Sequence, residues 1–179
     1  MTDKTRRIVK MKKLFFVAIG LMLIFSFTSA KAQKEKYHSL FIYNFSKYVK
    51  WPDDQQSGDF VIGVLGSSDI IKTLQSMAVN KKVNGSKIVI KQFNSVFDIK
   101  GCHILYVASS ESGKMSQVIS NTLDLPILIV SDKPGMAKKG AVINFVEREG
   151  KIKFELNQNY AESRGLKVSG SLISLAILV

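Results

Sequence analysis

Two turns hold the residues that come nearest to making a site. The first is Gly66-Ser67-Ser68-Asp69, directly after the apolar run Phe60-Val-Ile-Gly-Val-Leu65. The second is Ala108-Ser-Ser-Glu-Ser-Gly113-Lys114-Met-Ser116, directly after His103-Ile-Leu-Tyr-Val. A turn that joins a strand to a helix aims backbone N–H groups at an anion. The second turn has the spacing of a phosphate-cradling loop but lacks two of its parts. Ala108 stands where the first glycine belongs, and Met115 stands where a Ser or Thr would hold magnesium. The first turn lacks a full G-x-G-x-x-G. Two readings remain: ordinary helix capping, or a small anionic or polar ligand held by Gly66, Ser67, Ser109 and Ser110 at the carboxyl ends of two strands.

Other chemistries find less support. His38 and His103 are far apart in the chain, and Cys102 and His103 are neighbours on an extended segment, so they point to opposite faces. That pattern does not make a zinc site. Asp53, Asp54 and Asp59 read as a solvated loop with at most a loosely held cation. There is no G-x-S-x-G elbow, and no Cys-His or Ser-His-Asp set can be assembled. The expectation is a chain with no catalytic residues, no metal ligands and no cofactor. Cys102 is the single cysteine, so no internal disulfide can form. It reads as a buried, inert thiol at a strand start, with intermolecular pairing as the alternative.

A third candidate is a surface for a protein partner. Tyr37, Leu40, Phe41, Phe45 and Tyr48, with Ile42 and Val49 beside them, predict one broad apolar face of a helix. Lys36, Lys47 and Lys50 lie toward the other side. Pro52 stops the helix and turns Trp51 away from it. The stripe Tyr37, Leu40, Phe41 is expected in the core, with Lys47, Lys50 and Trp51 as an exposed contact rim.

The elements that must position these residues form an α/β pattern. Phe60–Leu65, His103–Ala108 and Pro126–Ser131 are apolar runs, as in strands buried on both faces. Lys87–Phe93 alternates. Helix-length connections separate these strands, which predicts βαβ units with right-handed crossovers. Ala141–Val146 and Lys151–Leu156 predict a hairpin turning through Glu147 to Gly150, and Ser169–Val179 predicts a final helix. The expected fold is a single α/β domain: a largely parallel central sheet, helices on both faces, and a C-terminal hairpin plus helix.

Residues 1–32 read as an export signal. Arg6, Arg7, Lys10, Lys12 and Lys13 precede the apolar stretch Leu14–Phe27, and Ala30-Lys31-Ala32 is an A-x-A cleavage site. The domain is therefore expected over 33–179, in the periplasm. The chain of 179 residues has a formal net charge of +12, but the first 32 residues hold seven Lys or Arg and one Asp. The remainder has 19 basic and 13 acidic residues, a net of +6. That excess suits an acidic partner or membrane surface and gives no argument for nucleic acid.

Three stretches together resemble the YfiR/HmsC-like family of periplasmic regulators. They are Phe41–Pro52, ending in Trp-Pro; Gly140-Ala-Val-Ile-Asn-Phe145 with Gly150-Lys-Ile-Lys-Phe-Glu-Leu-Asn157; and Ala161–Ser169 with Leu172, Leu175 and Ala176. The resemblance implies a non-enzymatic, dimeric protein that restrains an inner-membrane diguanylate cyclase by engaging its periplasmic domain. It also implies an outer-membrane lipoprotein that relieves the restraint, and an output in cyclic-di-GMP-dependent biofilm and exopolysaccharide. The alternative partner is a histidine kinase or other receptor served by a small-ligand sensor. Relatives carry cysteine pairs where this chain has Cys102 alone, so disulfide-based redox control is not expected.

Overall fold

The computed structural model describes residues 32–53 and 58–179. The export signal read over 1–32 lies outside the described residues but for Ala32, and so does Asp54. The chain divides into a leading unit ending at Lys36 and a main unit, Tyr37–Val179. Helix α1 covers residues 32–48 and passes into strand β1 (Val49–Lys50). Then follow β2 (Phe60–Leu65), α2 (Ile70–Ala78), β3 (Lys82–Val83), β4 (Ser86–Phe93), β5 (Ile104–Val107) and α3 (Met115–Asn121). The rest is β6 (Leu128–Ser131), β7 (Ile143–Arg148), β8 (Lys151–Leu156), α4 (Gln158–Ser163), β9 (Lys167–Val168), α5 (Gly170–Leu175) and β10 (Ile177–Leu178).

Eight strands form one sheet in the order β10-β8-β7-β6-β5-β2-β4-β3, while β1 pairs with β9 apart from it. β4, β2, β5, β6 and β7 are parallel neighbours. The antiparallel pairs of this sheet are β7–β8 and β3–β4. The parallel core follows from composition. Every residue of β5 and β6 is buried, which Ile-Leu-Tyr-Val and Leu-Ile-Val-Ser tolerate only with cover on both faces. α1 supplies cover on one face, with Ile42 and Phe45 over Ile62, Ile104, Tyr106, Phe145 and Phe154. α3 covers the other, with Met115 and Val118 over Leu105, Val107 and Ile129. Burying each large aliphatic or aromatic side chain in this way stabilises the fold by about 1.5–3 kcal/mol. The hairpin closes through Glu149 (φ 53) and Gly150 (φ 69). Positive φ at both central residues marks a type I′ turn, whose twist matches the flanking strands.

Two expectations are corrected. Of the expected core stripe Tyr37, Leu40, Phe41, only Phe41 packs against the core, half-buried; Tyr37 and Leu40 are 46% and 50% exposed, and Tyr48 is 43% exposed. The buried face keeps the expected Ile42, Phe45 and Val49 and adds His38, with Ser39 and Ser46 on its flank. These residues repeat at helical spacing as well as the aromatic set does. Their polar members are satisfied locally. The Ser46 hydroxyl donates to the Tyr43 carbonyl at 2.6 Å, and the His38 ring stacks on Phe145 at 4.0 Å with Nδ1 3.5 Å from the Tyr106 hydroxyl. The second correction concerns the final helix. α5 ends at Leu175, and Ile177–Leu178 become a strand parallel to Glu155–Leu156 of β8. Ala176 takes an extended conformation without a Gly or Pro to announce it.

Arg164 explains part of the third family stretch. It is buried, and its Nη1 donates to the carbonyls of Thr122 (2.7 Å) and Leu125 (3.2 Å). Thr122 is the residue closing α3, so the guanidinium neutralises the negative end of that helix. Burial lowers its pKa from the usual arginine value. Asn144 and Glu155, both in the second stretch, face each other across β7 and β8. The Asn144 amide donates to Glu155 at 3.1 Å, while its Oδ1 is buried without a partner among the described residues.

Candidate functional site

The sheet order brings the two turns of interest together. β2 connects outward to β4, and the chain then crosses back so that β5 pairs with the other side of β2. The carboxyl ends of β2 and β5 therefore flank the point where the winding reverses, the usual ligand crevice of an open α/β sheet. Gly66 takes φ +75 and its N–H donates to the Phe93 carbonyl at 2.8 Å. A Cβ on Gly66 would lie 2.5 Å from Glu111 Oε1, so the Glu111 side chain lies directly over this turn. Ser67, Ser109 and Ser110 are exposed. The Ser109 hydroxyl donates to Asp132 at 2.9 Å, and Lys114 Nζ is 2.6 Å from Glu111.

This geometry changes the chemistry expected of the turns. Ser109–Lys114 is a 3₁₀ helix, not an open phosphate cradle. Its lysine is already held by a carboxylate three residues earlier. With Glu111 paired to Lys114 over Gly66 and Asp132 accepting from Ser109, the crevice offers carboxylate acceptors, which suit a donor-rich group better than an anion. Sequence reading missed both carboxylates, because neither stands at a motif position.

The second candidate lies at the end of α1. Lys47 and Lys50 are exposed, as expected. Trp51 is not on their rim: it is 7% exposed, its Nε1 donates to the His103 carbonyl at 3.1 Å, and its ring meets Phe60 edge-on at 5.2 Å. The extended backbone forced by Pro52 turns the indole inward instead of outward. Other groups complete the surface. Lys47 Nζ sits 4.3 Å from the Tyr43 ring centre, and Lys81 Nζ approaches the same ring at 5.6 Å. Lys50 stands directly opposite Lys167 in the β1–β9 pair. Like charges directly opposed across two strands destabilise the pairing; Lys47 and Lys81 meet at Tyr43 and Lys50 meets Lys167, while Tyr37, Leu40 and Tyr48 stay exposed on α1. Lys167 was quoted in a family stretch, but only the β1–β9 pairing brings it to Lys50.

Cys102 is 6% exposed, and burial pushes its thiol from 9.0 up to about 12, with Lys91 opposing weakly. Iodoacetamide at pH 8 should therefore leave the native chain unmodified and alkylate it fully in urea; labelling of the native chain at the unfolded rate would refute the burial. The thiol's folded pKa lies above its unfolded one. Its contribution to stability is intact below pH 9 and falls as pH rises from 9 toward about 12, where the unfolded chain alone ionises.

Among the described residues, no helix is long and apolar enough to cross a membrane, and no group of three or more His, Cys, Asp or Glu could hold a metal ion. No curated protein matches the chain. A family model described as YfiR/HmsC-like matches residues 35–177.

Proposed function

The chain belongs to the YfiR/HmsC-like family of periplasmic regulators of cyclic-di-GMP signalling, and from that premise we propose that it binds and restrains an inner-membrane signalling protein of the diguanylate cyclase type. The observation that supports this reading is the outer surface of α1. An exposed Tyr37, Leu40, Tyr48 stripe lies on the same helix as Lys47, next to the Lys50–Lys167 pair. Aromatic anchors beside clustered positive charge suit an acidic, partly apolar receptor face. Restraint is steric: docking holds the receptor in its inactive arrangement, and a competitor shifts that population. An outer-membrane lipoprotein acting as competitor, a homodimeric regulator and cleavage of the signal after Ala32 belong to the same reading. It assigns no catalysis to the chain.

The test is binding to the purified periplasmic domain of a membrane cyclase from the same source. The double variant Lys47→Glu, Lys50→Glu is expected to weaken binding at least tenfold, about 1.4 kcal/mol. The loss should shrink as salt is raised, because rim charges act through a screened field. Affinity equal to that of the unmodified chain at low salt would overturn the assignment.

A second reading is a small-ligand sensor serving a histidine kinase, with Gly66, Ser67, Ser109 and Ser110 around the crevice. The meeting of these turns at the reversal of the sheet supports it. Glu111 and Asp132 would then select a donor-rich ligand.

A further inference from the structure

On the sheet face opposite α1, a groove of about 380 Å³ runs between the Val96–Asp98 turn and the outer side of α3. Phe97, Ser116, Gln117, Ser120 and Asn121 line it. We propose that this groove binds a neutral saccharide. None of the lining side chains is charged, which removes the usual means of holding an ion. Ser116, Gln117 and Asn121 carry groups that both donate and accept hydrogen bonds, as sugar hydroxyls do, and Ser120 adds an acceptor. The fifth is an aromatic ring, 80% exposed, whose apolar face suits the C–H face of a pyranose.

The backbone that carries the ring is braced. The Asn121 amide donates to the Val96 carbonyl at 2.7 Å, tying the turn to the helix. The Ser95 hydroxyl accepts from the Phe97 N–H at 3.3 Å and caps the turn. Phe97 therefore projects from a braced backbone, and the Asn121 oxygen stays available for a ligand. Ser120 donates to the Ser116 carbonyl at 3.0 Å, which leaves its oxygen lone pairs as acceptors. The volume falls at the low end of the roughly 300–1,000 Å³ of small-ligand pockets, which fits a short stretch of a chain passing through an open groove. These residues are separate from the lysine surface and from the crevice at Gly66, so the groove can be tested without touching either.

The experiment titrates the ¹⁵N-labelled chain with cellotetraose, chitotetraose and, as an anionic control, tetragalacturonate. At least one neutral oligosaccharide should shift the amides of Ser116, Gln117, Ser120 and Asn121 at concentrations up to about 10 mM. Phe97→Ala should weaken that binding about tenfold, equivalent to 1.4 kcal/mol. Because Phe97 is largely in water, the variant should keep the amide spectrum of the folded chain elsewhere. Gln117→Ala should weaken binding by a smaller factor. No shift with either neutral oligosaccharide, tighter binding of tetragalacturonate, or unchanged affinity in Phe97→Ala would each overturn the proposal.

Discussion

Trp51→Ala is expected to destabilise the fold by about 4 kcal/mol, at the upper range for deleting a buried aromatic. The indole is 7% exposed and packs edge-on against Phe60 at 5.2 Å and near His103 at 5.9 Å. Truncation leaves a cavity under the junction of α1 and β1, which close packing cannot refill without moving the helix. The lost hydrogen bond is the lesser part. The His103 carbonyl also accepts from the Leu128 N–H at 2.9 Å, so it keeps a partner when the indole is gone. Trp51→Phe, which keeps most of the ring, should therefore cost only about 1 kcal/mol. Urea unfolding followed by circular dichroism measures both. An unchanged midpoint in Trp51→Ala would mean that the indole is free for a partner after all. Any loss of receptor binding in Trp51→Ala must be read against this instability, which is why the binding test uses the exposed lysines.

Phe45→Ala should cost a similar amount, about 3–5 kcal/mol. Its ring is fully buried, 5.1 Å from Phe154, 5.8 Å from Phe145 and 6.1 Å from Phe41 by ring centres. With His38 and Phe41 it holds α1 against the β7–β8 hairpin. Its removal forfeits hydrophobic transfer and the aromatic pairings, each worth about 0.5–1.5 kcal/mol beyond burial. Phe45→Leu should recover roughly half of the loss, since it refills volume without the ring geometry. The comparison that decides is with Leu40→Ala on the exposed side of α1, which should shift the midpoint by less than about 0.5 kcal/mol. Equal losses in Phe45→Ala and Leu40→Ala would mean that the helix is rotated from the face described.

That rotation shows where sequence reading stops. The strands β2, β5 and β6 were legible because a run of Ile, Leu and Val has one physical home. The hairpin was legible from its alternation and from Gly150. The face of α1 was legible only in part: Ile42, Phe45 and Val49 are buried as expected, but counting apolar residues also favours Tyr37, Leu40 and Tyr48 over His38 and Ser46. A serine that bonds to its own helix is as easily buried as an alanine, and hydropathy does not record this. The same limit hid the β1–β9 pair and β10. Each spans two residues, and a two-residue strand has no period to detect. At the crevice, the turns at Gly66 and Ser109 were visible individually. Their juxtaposition follows from strand order, and the carboxylate over Gly66 follows from a side-chain direction that no spacing rule supplies. The groove at Phe97 was not anticipated at all, since nothing in a Val-Phe-Asp triplet distinguishes an exposed ring from a buried one.

The hairpin also sets an order of assembly. Its two strands are joined by two residues, so β7 and β8 can pair within microseconds, whereas every parallel pairing in the sheet must first close a long loop. The partners of Phe45 lie on that hairpin, about 100 residues further along the chain. Synthesis proceeds from the amino end, so α1 emerges before every strand of the sheet and acquires its docking site on the hairpin late. Until then its Ile42 and Phe45 have nothing to cover them. Through that interval the chain carries an amphipathic helix whose core-facing residues still lack the strands that cover them.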